Sequence, residues 1–194
     1  MDTLLIVGLG NPAPKYARNR HNIGFRIIDA ICDFYAFEPF RLKDSGLIAE
    51  GRLENTKIIA LKPQTYMNRS GQAVSAAARF YKITPEKIIV IHDDIELKPA
   101  VIRIKQDGGH GGHNGLKDID AHIGSAYWRV RFGVGHPGHR DLVANYVLGD
   151  FSKTDETWIE PLVDDIAREF PTFVSSGAAA FLNNLALRRA PLKI

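Results

Sequence analysis

A chain of 194 residues, 45% hydrophobic and 24% charged, has the length and composition of one ordinary globular domain, which excludes a disordered or fibrous protein. No stretch reaches the ~18 consecutive apolar residues of a membrane span and no basic segment precedes the first apolar run, so we expect a soluble, cytoplasmic protein without a membrane partner. The formal net charge of +3 permits a polyanionic partner without requiring one.

The first half of the chain alternates between strand and helix patterns. An apolar run predicts a buried strand over 4–9, and an apolar stripe between Phe25 and Tyr35 predicts a helix. Two further strands are predicted over 46–53 and 57–61, joined by a turn. A helix is predicted over 70–81, with Ser70 as its N-cap.

The second half continues this alternation. Strands are predicted over 87–91, 101–105 and 127–134, and a short helix over 116–123. The segment 106–115 is too rich in glycine for a regular element, and the last forty residues are predicted as helices broken near Pro161 and Pro171. The pattern predicts one α/β domain over 1–194, a three-layer globule with a central mixed, largely parallel sheet flanked by helices on both faces.

Polar residues follow several of the predicted strands. They are Asn11, Asn68, the pair His92 and Asp93, and Asn114. Because ligands bind beyond the carboxyl ends of strands in open α/β sheets, we expect these residues to gather at one edge. An amide both donates and accepts hydrogen bonds, so the three asparagines suit a carbonyl, a water molecule or an oxyanion.

His21 and Asp93 are the candidate acid–base pair. His21 precedes the first helix, whose dipole favours the neutral imidazole that a general base requires near pH 7. A carboxylate at Asp93 that accepts a hydrogen bond from the far ring nitrogen would fix the tautomer and stabilise the imidazolium. From the residues alone, a capping histidine and a turn aspartate remain alternatives.

Other chemistries have weaker support in the sequence. No serine or cysteine stands in a nucleophile-elbow pattern, and we expect the lone Cys32 to be a buried, reduced thiol. His92 and Asp93, or His110 and His113, resemble metal ligands, but the surrounding glycines make a poor cage and we predict no metal. Gly8-Leu9-Gly10 is followed by prolines that disfavour a dinucleotide-binding helix, so we predict no cofactor.

Taken together, five ordered motifs resemble the bacterial peptidyl-tRNA hydrolase family over nearly the whole chain. The motifs are Val7-Gly8-Leu9-Gly10-Asn11-Pro12 with Arg20-His21-Asn22-Ile23-Gly24, Lys62-Pro63-Gln64-Thr65-Tyr66-Met67-Asn68-Arg69-Ser70-Gly71, His92-Asp93-Asp94, Gly108-Gly109-His110-Gly111-Gly112-His113-Asn114-Gly115-Leu116-Lys117, and Arg131-Phe132-Gly133-Val134-Gly135-His136-Pro137. The resemblance implies a monomeric enzyme that hydrolyses the ester between a peptide and the 3′ ribose of tRNA, with peptidyl-tRNA as substrate and tRNA as partner.

The resemblance also implies residue roles. His21 matches the catalytic base and Asp93 the carboxylate that supports it. Asn11 matches a residue that distinguishes a blocked amide from a free amine. The other substrate-binding positions that it implies are Tyr16, Tyr66, Met67, Asn68, His113 and Asn114.

Basic residues complete the implied site. Lys105, Arg131 and Arg140 match positions that face tRNA phosphates, and Arg103, Lys117 and Arg129 are expected to extend this patch. Three positions depart from the family pattern: Tyr66 replaces a usual phenylalanine, Arg140 a frequent lysine, and Asp107 a frequent glycine. The last departure leaves the mobility of the glycine-rich loop open.

Two alternative functions remain open from the sequence. One is an RNA-binding module on the same scaffold without catalysis, which would not need His21, Asp93 and the three asparagines. The other is a small esterase or peptidase, for which the basic residues would have no purpose.

Overall fold

The computed structural model describes residues 2–190, which form one seven-stranded sheet with helices on both faces. The strands are β1 (Thr3–Gly8), β2 (Arg41–Lys43), β3 (Gly46–Leu53), β4 (Thr56–Pro63), β5 (Ile88–Asp94), β6 (Ile102–Gln106) and β7 (Trp128–Gly133). The helices are α1 (Ile23–Phe34), α2 (Ser70–Phe80), α3 (Asn114–Ile123), α4 (Val143–Val147), α5 (Lys153–Ser176) and α6 (Ala178–Arg189). No helix among these residues is both long and apolar enough to cross a membrane.

The strands lie in the order β2-β3-β4-β1-β5-β7-β6. The four central strands β4, β1, β5 and β7 are parallel, while β2, β3 and β6 run antiparallel to their neighbours. The central strands are buried on both faces, which explains why β1 and β5 are continuous apolar runs rather than alternating ones. These observations confirm the predicted mixed, largely parallel α/β sheet.

The two faces of the sheet carry separate apolar cores. One core packs α1, α5 and α6 against the sheet, and the other packs α2 and α3 against the opposite face. Each helix buries a stripe at helical spacing, for example Ile23, Ile27 and Ile31 in α1. The fold is therefore the predicted three-layer arrangement.

The predicted breaks at Pro161 and Pro171 were wrong, since α5 runs through both prolines. A proline in a helix interior costs about 3 kcal/mol because it removes a hydrogen bond and crowds the preceding turn. The helix offsets this cost by burying a long apolar face that includes Ile159, Ile166 and Phe170. Full burial of each of these side chains stabilises the fold by roughly 1.5–3 kcal/mol. Residues 191–194 of the predicted C-terminal helices lie outside the described range.

Two smaller predictions also differ from the structure. Ser70 is the first residue of α2 rather than its N-cap, and its Oγ donates to the carbonyl oxygen of Met67 at 2.7 Å. The strand β2 was not predicted, because an edge strand of three residues carries no recognisable periodicity.

Close backbone packing places the start of α1 against the sheet. A Cβ atom on Gly24 would lie 2.4 Å from both the carbonyl oxygen of Ile91 and the backbone nitrogen of Leu9, and one on Gly8 would lie 2.2 Å from the carbonyl oxygen of Gly24. Only glycine permits this approach at both positions. The short turn Arg20–Asn22 that precedes α1 is thereby held at the carboxyl ends of β1 and β5.

Candidate active site

The candidate site lies where the chain leaves the central strands. The strand β1 lies between β4 and β5. After β1 the chain forms β2, β3 and β4 on one side of it, and then crosses to form β5 on the other side, so the connections diverge at β1. Such a switch point is where open α/β sheets bind ligands. Asp93 comes from the end of β5, His21 from the turn before α1, and His113 from the residue before α3.

Asp93 is a buried carboxylate shared by two imidazoles. Its Oδ1 lies 2.8 Å from Nδ1 of His21 and 2.9 Å from Nε2 of His113, and its Oδ2 lies 3.0 Å from the same His21 nitrogen. Because an ionised carboxylate only accepts, both histidines carry their proton on the nitrogen that faces Asp93. This leaves Nε2 of His21 as the basic nitrogen, and it has no hydrogen-bond partner in residues 2–190 while retaining solvent access.

His113 also caps α3. Its Nδ1 accepts from the backbone N–H groups of Gly115 at 3.1 Å and of Leu116 at 3.4 Å, which fixes the proton on Nε2. His21, Asp93 and His113 are close enough to suggest a metal site. A metal on Nε2 of His113 would force a proton onto Nδ1, against two N–H donors, so this donor set favours hydrogen bonds over metal coordination.

The pKa values of His21 and Asp93 are both shifted by their surroundings. Burial lowers the pKa of His21, but the charge of Asp93 and its hydrogen bond together raise it by more, so the pKa of His21 is raised above its usual value. Burial raises the pKa of Asp93, and the two histidines outweigh it and hold the pKa far below its usual range. The predicted effect of the α1 dipole, a lowered pKa for His21, is thus outweighed by a contacting carboxylate.

His92 is a buried neighbour whose role the sequence did not reveal. Its Nδ1 donates to the carbonyl oxygen of Asp93 at 2.8 Å, and its ring packs edge-on against His113 with centroids 5.1 Å apart. Complete burial beside His113 lowers the pKa of His92 to about 4, so this ring is neutral at pH 7. Its position next to Asp93 was visible in the sequence, but not its contact with that residue's carbonyl group.

A cavity of about 520 Å³ opens beside this cluster. The predicted site residues that line it are His21, Asp93, Lys105, His113, Asn114, Arg131 and Arg140. The glycine-rich loop contributes to its lining, and Val143, Ala144 and Val147 of α4 supply apolar lining. The structure therefore brings the proposed base, its carboxylate and the proposed phosphate contacts to one cavity.

A second group of predicted residues surrounds Asn11, close to the turn that carries His21. Asn11 is buried, and its Oδ1 accepts from the backbone N–H of Met67 at 2.8 Å. The Sδ of Met67 lies near Gly115, where a Cβ atom would approach it to 2.7 Å. These contacts join the loops after β1 and β4 to the first turn of α3.

The remaining predicted substrate contacts lie on the surface. Asn68 and Asn114 are exposed and form no side-chain hydrogen bond within the described residues. Tyr66 is 63% exposed, and Tyr16 is half-buried beneath the Nζ of Lys15, which lies 5.0 Å from its ring centroid. These side chains are free to contact a ligand.

The predicted basic patch divides into two kinds of residue. Lys105 and Arg140 are exposed and make no ion pair within residues 2–190, while Arg131 holds Asp94 through its Nε at 2.7 Å. Arg129 is only 2% exposed and bonds the carbonyl oxygen of Gly108 and Oδ1 of Asp120, so its prediction as a phosphate contact was wrong. Alternation along β7 predicted one shared face for Arg129 and Arg131, but the glycine-rich loop covers Arg129.

Asp107, where the resemblance implies a glycine, has a backbone conformation that suits glycine. Its backbone has φ +61°, a conformation that glycine adopts without strain. The aspartate compensates through its Oδ1, which accepts from the backbone N–H of Gly108 at 2.6 Å and from the hydroxyl of Ser125 at 2.5 Å. These contacts anchor the first residues of the glycine-rich loop.

Comparisons with known proteins agree with this geometry. Residues 5–192 match the model of the peptidyl-tRNA hydrolase family. A peptidyl-tRNA hydrolase of Rhodospirillum rubrum is 50% identical over 96% of this chain and 77% of its own length, and one of Dinoroseobacter shibae is 52% identical over 96% and 80%. The crystal structure of the peptidyl-tRNA hydrolase from Acinetobacter baumannii superposes with a TM-score of 0.88 at 39% identity, covering 94% of both chains.

Proposed function

This chain belongs to the peptidyl-tRNA hydrolase family and hydrolyses the ester that joins a peptide to tRNA, and we propose that His21, supported by Asp93, activates the attacking water. The observation that carries this mechanism is the hydrogen bond of 2.8 Å between Nδ1 of His21 and Oδ1 of Asp93. It leaves Nε2 unprotonated and accessible beside the cavity, which is the arrangement that a general base requires.

In the proposed reaction, Nε2 of His21 removes a proton from water while the water oxygen attacks the ester carbonyl. The carbonyl becomes a tetrahedral oxyanion, and Asp93 stabilises the imidazolium that forms. The oxyanion then collapses, the bond to the 3′ ribose oxygen breaks, and the imidazolium returns its proton to that oxygen. The products are a peptide with a free carboxyl group and tRNA with a free 3′ end.

Amide side chains supply the polar contacts of this proposal. Asn114 lines the cavity next to His113 and is free to donate to the oxyanion or to orient the water. Asn11 and Asn68, together with Tyr16, Tyr66 and Met67, are assigned to the peptide and the terminal ribose. The contact of Asn11 with Met67, and of Met67 with Gly115 in the first turn of α3, supports the assignment of these two residues.

Lys105, Arg131 and Arg140 are assigned to tRNA phosphates. They line the same cavity as His21, and Lys105 and Arg140 lack an ion-pair partner in the described part of the chain. Contacts to phosphate carry no sequence information, which suits an enzyme that accepts many tRNAs. Because the substrate arises during translation, we assign the enzyme to the cytoplasm and propose that it acts as a monomer in which residues 1–194 form one domain.

A comparison of three substrates tests the function. Purified protein is incubated with N-acetyl-aminoacyl-tRNA, with unblocked aminoacyl-tRNA and with a simple peptide ester. We expect cleavage of the first alone. Hydrolysis of the simple ester at a similar rate would indicate a general esterase, and tRNA binding without hydrolysis would indicate an RNA-binding module.

The variant His21→Ala tests the base. Loss of a positioned general base should lower kcat by roughly 10²–10⁴-fold while the affinity for tRNA is retained. His122→Ala is the matched control, because His122 lies at the far end of α3 from His113 and its side-chain hydrogen bond and ion pair within the described residues are both to Asp118. Near-normal turnover by folded His21→Ala protein would remove the assignment.

A further inference from the structure

The helix α4 is short, and its place beside the cavity depends on contacts outside the helix. It has five residues, of which only Val147 is buried. A helix of this length has little stability of its own, because forming its first turn is costly. Nevertheless Val143, Ala144 and Val147 line the cavity that contains His21. The contacts that hold α4 therefore also fix this part of the cavity lining.

Backbone hydrogen bonds join the chain after α4 to the segment that leads into the proposed base. The backbone N–H of Arg20 donates to the carbonyl oxygen of Gly149 at 3.1 Å. The backbone N–H of Phe151 donates to the carbonyl oxygen of Arg18 at 3.2 Å. These bonds hold residues 149–151, which lie beyond the end of α4.

The guanidinium group of Arg20 extends this connection to α4 itself. Its Nη1 donates to the carbonyl oxygen of Tyr146 at 3.2 Å and to that of Asp150 at 3.1 Å. Its Cζ lies 4.1 Å from the centroid of the Tyr146 ring, and its Nη2 lies 4.0 Å from Oδ2 of Asp155. Arg20 does not line the cavity, so its influence on the reaction passes through the residues that it holds.

The turn that carries His21 has supports that do not depend on the Arg20 side chain. His21 is bonded to Asp93 at 2.8 Å. Asn22 pairs with the backbone of Asn11 through two hydrogen bonds of 2.9 Å. Loss of the Arg20 side chain should therefore loosen α4 while the base keeps its position.

We propose that Arg20 is a positioning residue for substrate binding: it ties α4 to the turn that carries His21, so that the apolar side chains of α4 stay beside the base. This inference rests on the proposed function. When a binding-competent conformation is populated only part of the time, the apparent affinity falls by that fraction, whereas turnover of bound substrate does not. Arg20 belongs to a motif of the sequence, but its bond to Tyr146 spans 126 residues and was not predictable from that motif.

The variant Arg20→Gln tests the inference in steady-state hydrolysis of N-acetyl-aminoacyl-tRNA. Glutamine cannot bond both carbonyl groups and also cover the Tyr146 ring. We expect KM to rise roughly tenfold, as if α4 were in place about a tenth of the time, while kcat changes by less than about threefold. Arg18→Gln is the charge-matched control with an unchanged KM, because the side chain of Arg18 is exposed and pairs with Glu156 at 3.9 Å.

Hydrogen–deuterium exchange of the same variants locates the change. Backbone amides of residues 143–151 should exchange faster in Arg20→Gln than in wild type, while those of β1 and β5 should not change. A purely structural role would instead lower the fraction of folded enzyme, which reduces kcat and leaves KM as it was.

An unchanged KM, or unchanged exchange over 143–151, in folded Arg20→Gln protein would overturn the inference. If Arg20→Gln does not fold, Arg20→Lys decides. Lysine keeps the charge but lacks the planar fork of donors, so KM must still rise, and a wild-type KM overturns the inference. A wild type that does not cleave N-acetyl-aminoacyl-tRNA contradicts the proposed function instead.

Discussion

Asp93 and His21 stabilise one another's charged forms, and the two contributions depend on pH in opposite directions. Because the pKa of His21 is raised, its contribution to folding is fully present below the ordinary value of about 6.5 and is lost as the pH rises through the raised pKa. Because the pKa of Asp93 is lowered, its contribution is present above about 3.9 and is lost as the pH falls below that value. The proposed mechanism requires neutral His21, so we expect activity to favour the alkaline side of this range.

The variant Asp93→Asn tests this electrostatic coupling. Removal of the charge leaves burial as the main influence on His21, so the acidic limb of the profile of kcat/KM against pH should move to lower pH. We expect kcat on the plateau to fall by roughly 10²–10⁴-fold, because an amide stabilises imidazolium poorly.

Asp33→Asn is the control for that profile, since Asp33 is exposed on α1 and its loss changes the net charge equally. An acidic limb that stays at the wild-type pH in Asp93→Asn would show that another group controls the profile.

At the residue scale, the sequence predicted which residues belong to the candidate site better than it predicted what surrounds each of them. His21 and Asp93 follow from their motifs, and the structure brings them into contact. The direction of the His21 pKa was predicted wrongly, because a helix dipole is visible in the sequence pattern and a contact across 72 residues is not. Arg129 was misassigned for the same reason, since the loop that buries it has no periodic pattern.

Among the secondary-structure elements, α1 and the sheet approach most closely at Gly24. The substitution Gly24→Ala places a methyl group against backbone atoms of Leu9 and Ile91, which have no rotamer to escape into. We expect it to destabilise the fold by about 2 kcal/mol or more, despite the ~1 kcal/mol that alanine gains over glycine in a helix. The change is measured as the shift of the urea unfolding midpoint.

Gly109→Ala is the matched control, because a Cβ atom there meets nothing within 4 Å and its φ is not positive. Its stability should change by less than about 0.5 kcal/mol. Equal stability of both variants would mean that α1 is able to move away from the sheet.

Strong periodicity decided which elements were predictable. The buried strands β1 and β5 and the amphipathic α1 were predicted close to their observed bounds, because hydrophobic spacing reports burial directly. The course of α5 through Pro161 and Pro171 was not, because tertiary packing overrides a local helix-breaking signal. The missed strand β2 depends on its pairing with β3 rather than on its own residues.

At the scale of the whole molecule, a net charge of only +3 accompanies two exposed cations beside the candidate site that make no ion pair within residues 2–190. Lys105 lies on β6, at the opposite end of the sheet from β2, and Arg140 faces the same cavity. A modest total charge is therefore compatible with local attraction of a polyanion.

Removal of this charge should alter the salt dependence of tRNA binding. Each lost phosphate contact should reduce the log–log slope of affinity against salt by roughly 0.7–0.9, so Lys105→Ala and Arg140→Ala should each show this change, together with a KM that rises more than kcat falls. The slope is measured by titrating tRNA at several salt concentrations.

Arg41→Ala on β2 removes the same charge from the far edge of the sheet, where Arg41 pairs with acidic residues, and its slope should match that of wild type. Equal slopes in all three variants would place the tRNA elsewhere on the surface.

The sharing of Oδ1 of Asp93 by two histidines has a consequence for how the site moves. It accepts one hydrogen bond from the ring of His113, which caps α3, and another from the ring of His21, the proposed base, so one atom holds both rings. If Asn114 contacts the ligand as proposed, a shift of the start of α3 would act through that atom on the angle of the His21 imidazole. Under the proposed function, seating of the substrate and alignment of the base are therefore coupled through one oxygen atom.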